Sequence, residues 1–168
     1  MESHPKIRSF APITGKNSRI LILGSMPGVA SLEAGQYYAH PRNVFWRIMA
    51  ELLNMPENLS YPQKTQHLCS TGIALWDVLH TCVRPGSLDS AISDEVPNDF
   101  AAFFKTHPHI SALFFNGQKA RRAFKKHVAP SLDINTLPLY TLPSTSPANA
   151  SWSFERKLES WQSIMNYL

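Results

Sequence analysis

An α/β fold, a three-layer α/β/α sandwich around a central, mainly parallel four-stranded sheet, is predicted by two features of this 168-residue chain. Short branched apolar runs alternate with amphipathic stretches of helical period, and parallel strands need such crossovers between them. The runs are apolar almost throughout, as in strands buried on both faces. The length fits one domain, residues 1–168, with a sizeable core. Residues 1–18 precede the first strand as an N-terminal extension.

Residues 19–23 (RILIL) read as the first strand, stopped by Gly24. A helix follows over residues 43–54, where Phe45, Ile48, Met49 and Leu52 share one face and Pro56 ends the pattern. Residues 62–70 give a second helix and residues 72–76 (GIALW) a second strand. Residues 80–98 are rich in Pro, Gly, Ser and Asp and read as a long surface loop, a kind of segment that is often functional. Residues 99–106 form a helix packing Phe100, Phe103 and Phe104. A third strand, residues 111–115 (SALFF), stops at Asn116-Gly117 and opens a helix over residues 118–128. That helix carries Lys119, Arg121, Arg122, Lys125 and Lys126, the densest basic group in the chain. Residues 137–142 are a fourth strand whose proline suits an edge. The terminal helix, residues 153–168, has a stripe of Phe154, Leu158, Trp161, Met165 and Leu168.

Composition narrows the classes. A 43% hydrophobic content excludes disorder, and a net charge of +4 suits a polyanionic partner without requiring one. The two cysteines, Cys69 and Cys82, are too few for a disulfide framework and lack metal-finger spacing, so they read as reduced thiols of a cytosolic protein. No segment approaches the roughly 18 apolar residues of a membrane span, and no secretory signal is visible. His107 and His109 flank a proline without nearby partners, so no metal site is expected.

Three loops follow strands, where an open α/β sheet places its ligand crevice. Gly24-Ser25-Met26-Pro27-Gly28 is neither GxGxxG nor GxSxG, and it lacks the lysine of a phosphate loop. It is equally readable as a plain strand-to-helix turn. Tyr37-Tyr38-Ala39-His40-Pro41-Arg42-Asn43-Val44-Phe45-Trp46 places two tyrosines in a loop, where an exposed ring can stack on a nucleobase. Asn43 at a helix start is either an N-cap or a functional amide. Leu142-Pro143-Ser144-Thr145-Ser146-Pro147-Ala148-Asn149 is stiff, narrow and uncharged, with hydroxyl and N–H donors suited to a phosphate or a groove. Asn116-Gly117 offers backbone N–H groups to a phosphate, or is simply a turn before a solvated basic face.

Together these segments resemble the uracil-DNA glycosylase superfamily, and within it the hypoxanthine-DNA glycosylase branch. Residues 24–28 look like that branch's first motif, residues 37–46 its adjoining segment, and residues 142–149 its DNA-intercalating motif. The resemblance covers roughly residues 19–168. It implies that Asn43 is the catalytic amide and that Tyr38 stacks on a flipped base in a pocket formed with Gly24, Ser25, Met26 and Asn116. It implies DNA contacts from Gly117, Lys119, Ser144, Thr145, Ser146, Pro147, Ala148 and Asn149. In the uracil-specific branch the third position of the first motif is a water-activating aspartate, and in the mismatch-specific branch an asparagine; here it is Met26, which argues against strong uracil activity.

The expectation is a monofunctional base-excision enzyme that removes a deaminated base, hypoxanthine before uracil or xanthine, from double-stranded DNA. It would need no metal or organic cofactor and act as a monomer in the cytoplasm, on the nucleoid. Two rivals remain: a non-catalytic binder of DNA lesions, and a nucleotide or phosphate-ester hydrolase on a similar sheet. The hydrolase would normally want a carboxylate cluster, and the only acid between Gly24 and Trp46 is Glu33.

Overall fold

The computed structural model describes residues 3–133 and 136–168. In chain order its elements are β1 (Lys6–Arg8), β2 (Ile20–Gly24), α1 (Val29–Ala34), α2 (Phe45–Leu53), α3 (Tyr61–Thr71), β3 (Ile73–Asp77), β4 (Leu79–Val83), β5 (Ser93–Pro97), α4 (Phe100–Thr106), β6 (Ala112–Asn116), α5 (Gln118–His127), β7 (Leu139–Leu142) and α6 (Phe154–Trp161). Short 3₁₀ turns cover Asp89–Ala91, Ala129–Ser131 and Gln162–Tyr167.

The expected parallel sheet is present, with strand order β3-β2-β6-β7. Every neighbouring pair in it is parallel. β7 is an edge strand, as expected, and it begins after Pro138, whose carbonyl accepts from Leu113 N–H at 3.0 Å. Side chains alternate between two cores. Leu21, Leu23, Ala74, Trp76, Leu113 and Phe115 pack with Phe100 and Phe103 of α4 and Phe124 of α5. Ile20, Ile22, Ile73, Leu75, Ala112 and Phe114 pack with Phe45 and Ile48 of α2, Leu68 of α3 and Trp161 of α6. Two buried faces explain why the strands read as unbroken apolar runs.

Several expectations are corrected. Residues 80–98 are not one long loop: most of β4 and all of β5 fall in this stretch and pair antiparallel, with β1 on the other side of β4. The pairing of β4 with β5 contains register shifts, and Asp94 adopts φ +51°. Such irregular ladders do not need an alternating pattern, which hid the strands. The N-terminal extension carries β1, and its Ile13 bridges to Leu75. The short α1 was not anticipated. α2 begins at Phe45 rather than Asn43, and α3 spans Tyr61–Thr71, started by a capping box between Ser60 and Gln63. The terminal helix tightens to 3₁₀ winding after Trp161, which buries Ile164 and leaves Met165 36% exposed. An i, i+3 period replaces i, i+4 there and rotates Met165 off the stripe.

Phe114 sits at the centre of the sheet with no exposed surface and its ring stacked 5.1 Å from Tyr140. Phe114→Ala is expected to cost about 3–5 kcal/mol of unfolding free energy, read from urea denaturation.

Candidate active site

The carboxyl ends of the four parallel strands set out one row of residues. Register places Gly24 opposite Asp77 and Asn116 opposite Leu142. Over this row opens a cleft of about 560 Å³, walled by residues 24–31, by Tyr37, Tyr38, His40 and Asn43, and by residues 87–89 and 141–149.

Gly24 closes on Asp77. A β-carbon at residue 24 would lie 2.5 Å from Asp77 Oδ1 and 3.3 Å from the Tyr38 hydroxyl, so only glycine leaves room for both groups. Beyond it the first loop is held from below by Arg84, a buried guanidinium following β4. Arg84 donates to the carbonyls of Met26 and Pro27, and its Nε donates to Gly86 O at 3.0 Å. Ser25 donates to Asp89 Oδ1 at 2.7 Å. Met26 is buried in the α4–α5 core, and its backbone lines the first loop rather than presenting a polar group.

The two tyrosines divide. Tyr37 is structural: its hydroxyl donates to Ala11 O at 2.9 Å, and its carbonyl accepts from Trp46 Nε1 at 2.9 Å. Tyr38 adopts φ +56°, uncommon for a bulky residue, and this turns its ring onto Phe45 with centroids 4.1 Å apart. Its hydroxyl is buried at the cleft floor near the Asn116 amide, but makes no hydrogen bond of good geometry. Burial and then the neighbouring Asp77 hold that phenol well above its ordinary pKa.

Asn43 lines the cleft, and its Oδ1 accepts the Phe45 N–H at 3.0 Å. It therefore caps the start of α2 from one residue outside the formal cap, and this bond fixes which end of the amide is oxygen. His40 accepts from Arg42 N–H through Nδ1 at 3.0 Å, stiffening the same turn.

Asn116 and Thr145 are locked together. Asn116 Nδ2 donates to Thr145 Oγ1 at 2.9 Å, and Thr145 N–H donates to Asn116 Oδ1 at 2.9 Å. Thr145 O accepts from Val44 N–H at 3.1 Å, and the residue is only 1% exposed. The outer part of this loop braces itself: Ser146 N–H donates to Ser144 Oγ, Ala148 N–H to Ser146 Oγ, and Asn149 Nδ2 to Ser144 O. Gly117 adopts φ +94°, and a β-carbon on it would meet Ser144 Cβ at 3.1 Å.

The structure thus gathers Gly24, Ser25, Met26, Tyr38, Asn43, Asn116, Gly117 and the 144–149 loop around one cleft. It does not bring Lys119 there. Lys119 and His127 both bond Glu95, in a separate hollow that Arg122 and Lys126 also line. Burial works against the Glu95 charge, but the hydrogen bonds from Lys119 and His127 prevail and hold its carboxyl below the usual range. Thr145 also leaves the presumed DNA surface, because its polar atoms are spent inside the protein.

Sequence reasoning missed Asp77, Arg84, Leu88 and Asp89. Asp77 is the chemically unusual member. It is buried, and its Oδ2 has no hydrogen-bond partner. Burial, followed by the nearby Asp89 charge, pushes its carboxyl up to about 7 against an ordinary 3.8, with Arg84 opposing. The strand end at Asp77 was a usable signal, since a polar residue closing an apolar run at the carboxyl rim faces the crevice. Among the described residues no group of three or more His, Cys, Asp or Glu could hold a metal ion. Nor is any helix among them long and apolar enough to cross a membrane.

A buried-acid cleft at the carboxyl rim of a β3-β2-β6-β7 parallel sheet defines a base- or nucleotide-sized site on an α/β scaffold. Residues 11–168 match the family model described as the Uracil DNA glycosylase superfamily. The chain is 35% identical over 161 residues to a Hypoxanthine DNA glycosylase of Methanosarcina acetivorans, covering 95% of this chain and 98% of that protein. A Hypoxanthine DNA glycosylase of Methanosarcina barkeri is 36% identical over 116 residues, 68% of this chain and 73% of that protein. A solution NMR structure from Methanosarcina acetivorans, described as a candidate uracil DNA glycosylase, superposes with a TM-score of 0.81 at 35% identity, covering 95% of this chain and 96% of that one. The chain belongs to the uracil DNA glycosylase superfamily.

The raised Asp77 value fixes the sign of a pH effect on stability. Between its unfolded value of 3.8 and its folded value of about 7, the folded state keeps a proton that the unfolded state has lost. Stability therefore falls as pH rises through that window, and the penalty is complete above it. Asp77→Asn removes the penalty, so its urea midpoint should gain on that of the parent protein between about pH 5 and about pH 8.

Proposed function

We propose that the protein is a monofunctional DNA glycosylase that hydrolyses the N-glycosidic bond of a deaminated base, hypoxanthine foremost and uracil or xanthine after it, and leaves an abasic site. The observation that carries this reading is the cleft floor, where Asp77 Oδ2 is buried without a partner and Tyr38 Oη lacks one of good geometry, in the cleft that Asn43 also lines. Orphaned buried polar atoms are costly, and a ligand that bonds them recovers that cost. The names of the Methanosarcina relatives support the choice of hypoxanthine.

The substrate would be flipped from the duplex at an unstacking cost of a few kcal/mol, lower for a mispaired base. Hypoxanthine carries an N1–H donor beside its O6 acceptor. A neutral carboxyl at Asp77 offers the reciprocal acceptor and donor, and Tyr38 adds a hydroxyl at the same floor. The ring of Tyr38, backed by Phe45, supplies a stacking surface. Asn43, held by the Phe45 N–H, orients water toward the anomeric carbon as the bond to the base breaks. An amide is too weak a base to deprotonate water, so most of the barrier reduction comes from an oxocarbenium-like sugar stabilised by DNA phosphates and from bonds to the departing base. No lysine lines the cleft among the described residues, which supports hydrolysis over Schiff-base chemistry.

Ser144, Ser146, Pro147, Ala148 and Asn149 would enter the minor groove as a rigid edge, with Gly117 behind them as spacing only, since its N–H already donates to Phe115 O and Leu142 O at 3.1 and 3.0 Å. Asn116 and Thr145 would hold that edge in place, and Lys119 would act at most on the outlying backbone. The chain would work as a monomer and single domain, in the cytoplasm at the nucleoid.

Asn43→Ala is expected to lower single-turnover release of hypoxanthine from a deoxyinosine duplex by about 100-fold or more while duplex binding is retained, measured by alkaline strand cleavage and gel shift. Binding by the parent protein without release of any base would instead make it a lesion binder. The ionised carboxyl of Asp77 loses its donor, so kcat/KM on deoxyinosine should decline as pH rises past about 7. Asp77→Asn keeps a donor and an acceptor at every pH, and its profile should lack that alkaline limb.

A further inference from the structure

Among the described residues, Asp77 and Asp89 are the acids that line the cleft, and their surroundings set them apart. Asp77 lies at the floor, 3% exposed, with the backbone of Gly24 closed against it. Asp89 stands exposed on the first-loop rim, and its charge helps hold the proton on Asp77. Two carboxyls kept in different protonation states can divide donor work from acceptor work.

Asp89 is held in place. Its Oδ1 accepts from Ser25 Oγ at 2.7 Å, and its carbonyl accepts from Ile92 N–H at 3.2 Å around the 3₁₀ turn Asp89–Ala91. Two residues earlier, Ser87 Oγ accepts from Val29 N–H at 2.9 Å, so the turn is tied to both ends of the first loop. The second carboxylate oxygen, Oδ2, takes no hydrogen bond within the protein.

Depth gives the two acids different reaction partners. A base bonded at the floor by Asp77 and Tyr38 has its anomeric carbon one glycosidic bond nearer the mouth, toward the rim. Positive charge develops there as the bond breaks, and a fixed group of opposite charge lowers that barrier. The attacking water also needs a proton acceptor, which the Asn43 amide cannot be. His40 accepts from Arg42 N–H through Nδ1, which leaves Nε2 of the neutral ring a donor.

We propose that Asp89 is a catalytic carboxylate, facing the sugar from the rim while Asp77 holds the base at the floor. This rests on the glycosylase reading above. The C1′–N9 bond breaks, and its electron pair leaves on N9 of the purine. The water oriented by Asn43 forms the new C1′–O bond and gives a proton to Asp89 Oδ2. Asp89 returns that proton to solvent, and the purine anion takes one from solvent as it departs.

The test is single-turnover release of hypoxanthine from a deoxyinosine duplex at saturating protein and about pH 6, where Asp77 keeps its proton. Asp89→Asn retains an acceptor for Ser25 but not the charge. It is expected to lower the rate about 100-fold while gel shift shows duplex binding undiminished. Asp89→Ala leaves space for a carboxylate, and added formate is expected to raise its rate at least tenfold over equal chloride. A loss below tenfold in Asp89→Asn overturns the proposal. So does a loss in Asp89→Ala that formate does not relieve, which would reduce Asp89 to a brace for Ser25. Should the parent protein release no base, the glycosylase reading itself fails, whereas release by the parent with an indifferent Asp89→Asn sinks the proposal alone.

Discussion

Three of the segments that form the cleft meet at one buried residue, Thr145. Its amide and hydroxyl close a two-bond ring with the Asn116 side chain, and its carbonyl receives the Val44 N–H. The end of β6, the segment carrying Asn43 and the loop after β7 are therefore fixed relative to one another by bonds made away from water. Removing one partner would strand buried donors and acceptors, at about 1–3 kcal/mol for each orphan. The distance across the cleft is set here, by bonds made within the protein itself.

That floor depends on a second constraint, the parallel register of β2 with β3. It puts the glycine that ends one strand against the carboxylate that ends the other. Without a side chain at Gly24, the backbone can lie against Asp77 and exclude water from it. Exclusion of water, with Asp89 nearby, is what keeps a proton on the carboxyl near neutrality. Packing at one residue thereby determines the chemistry at another, and the polar character of the site comes from a strand end rather than from the motif loop beside it.

The parallel sheet was legible because β2, β3 and β6 are continuous apolar runs ending at polar or turn residues, a pattern that burial on both faces produces. The cleft loops were legible as a set, through the order and spacing of their motifs, where the first loop alone read equally well as a plain turn. β4 and β5 escaped because the pairing between them shifts register and Asp94 turns left-handed, so no period of two survives in residues 80–98. Asp77 escaped because its meaning lies in desolvation, which depends on neighbours from β2, from the segment at Tyr38 and from the 87–89 turn. Lys119 was misplaced for a related reason. Spacing puts an amine near a crevice but does not reveal that Glu95 already holds it.

The small antiparallel sheet gives the amino terminus a long reach. β1 pairs with β4, Phe10 O accepts from Trp76 Nε1 at 3.2 Å, and Ala11 O accepts from Tyr37. β4 in turn leads to Arg84, which carries the carbonyls of the first cleft loop. Residues 6–13 thus serve as a girder under both walls of the site, though none of them lines it. Trimming into these residues would load the frame on which the cleft loops are hung.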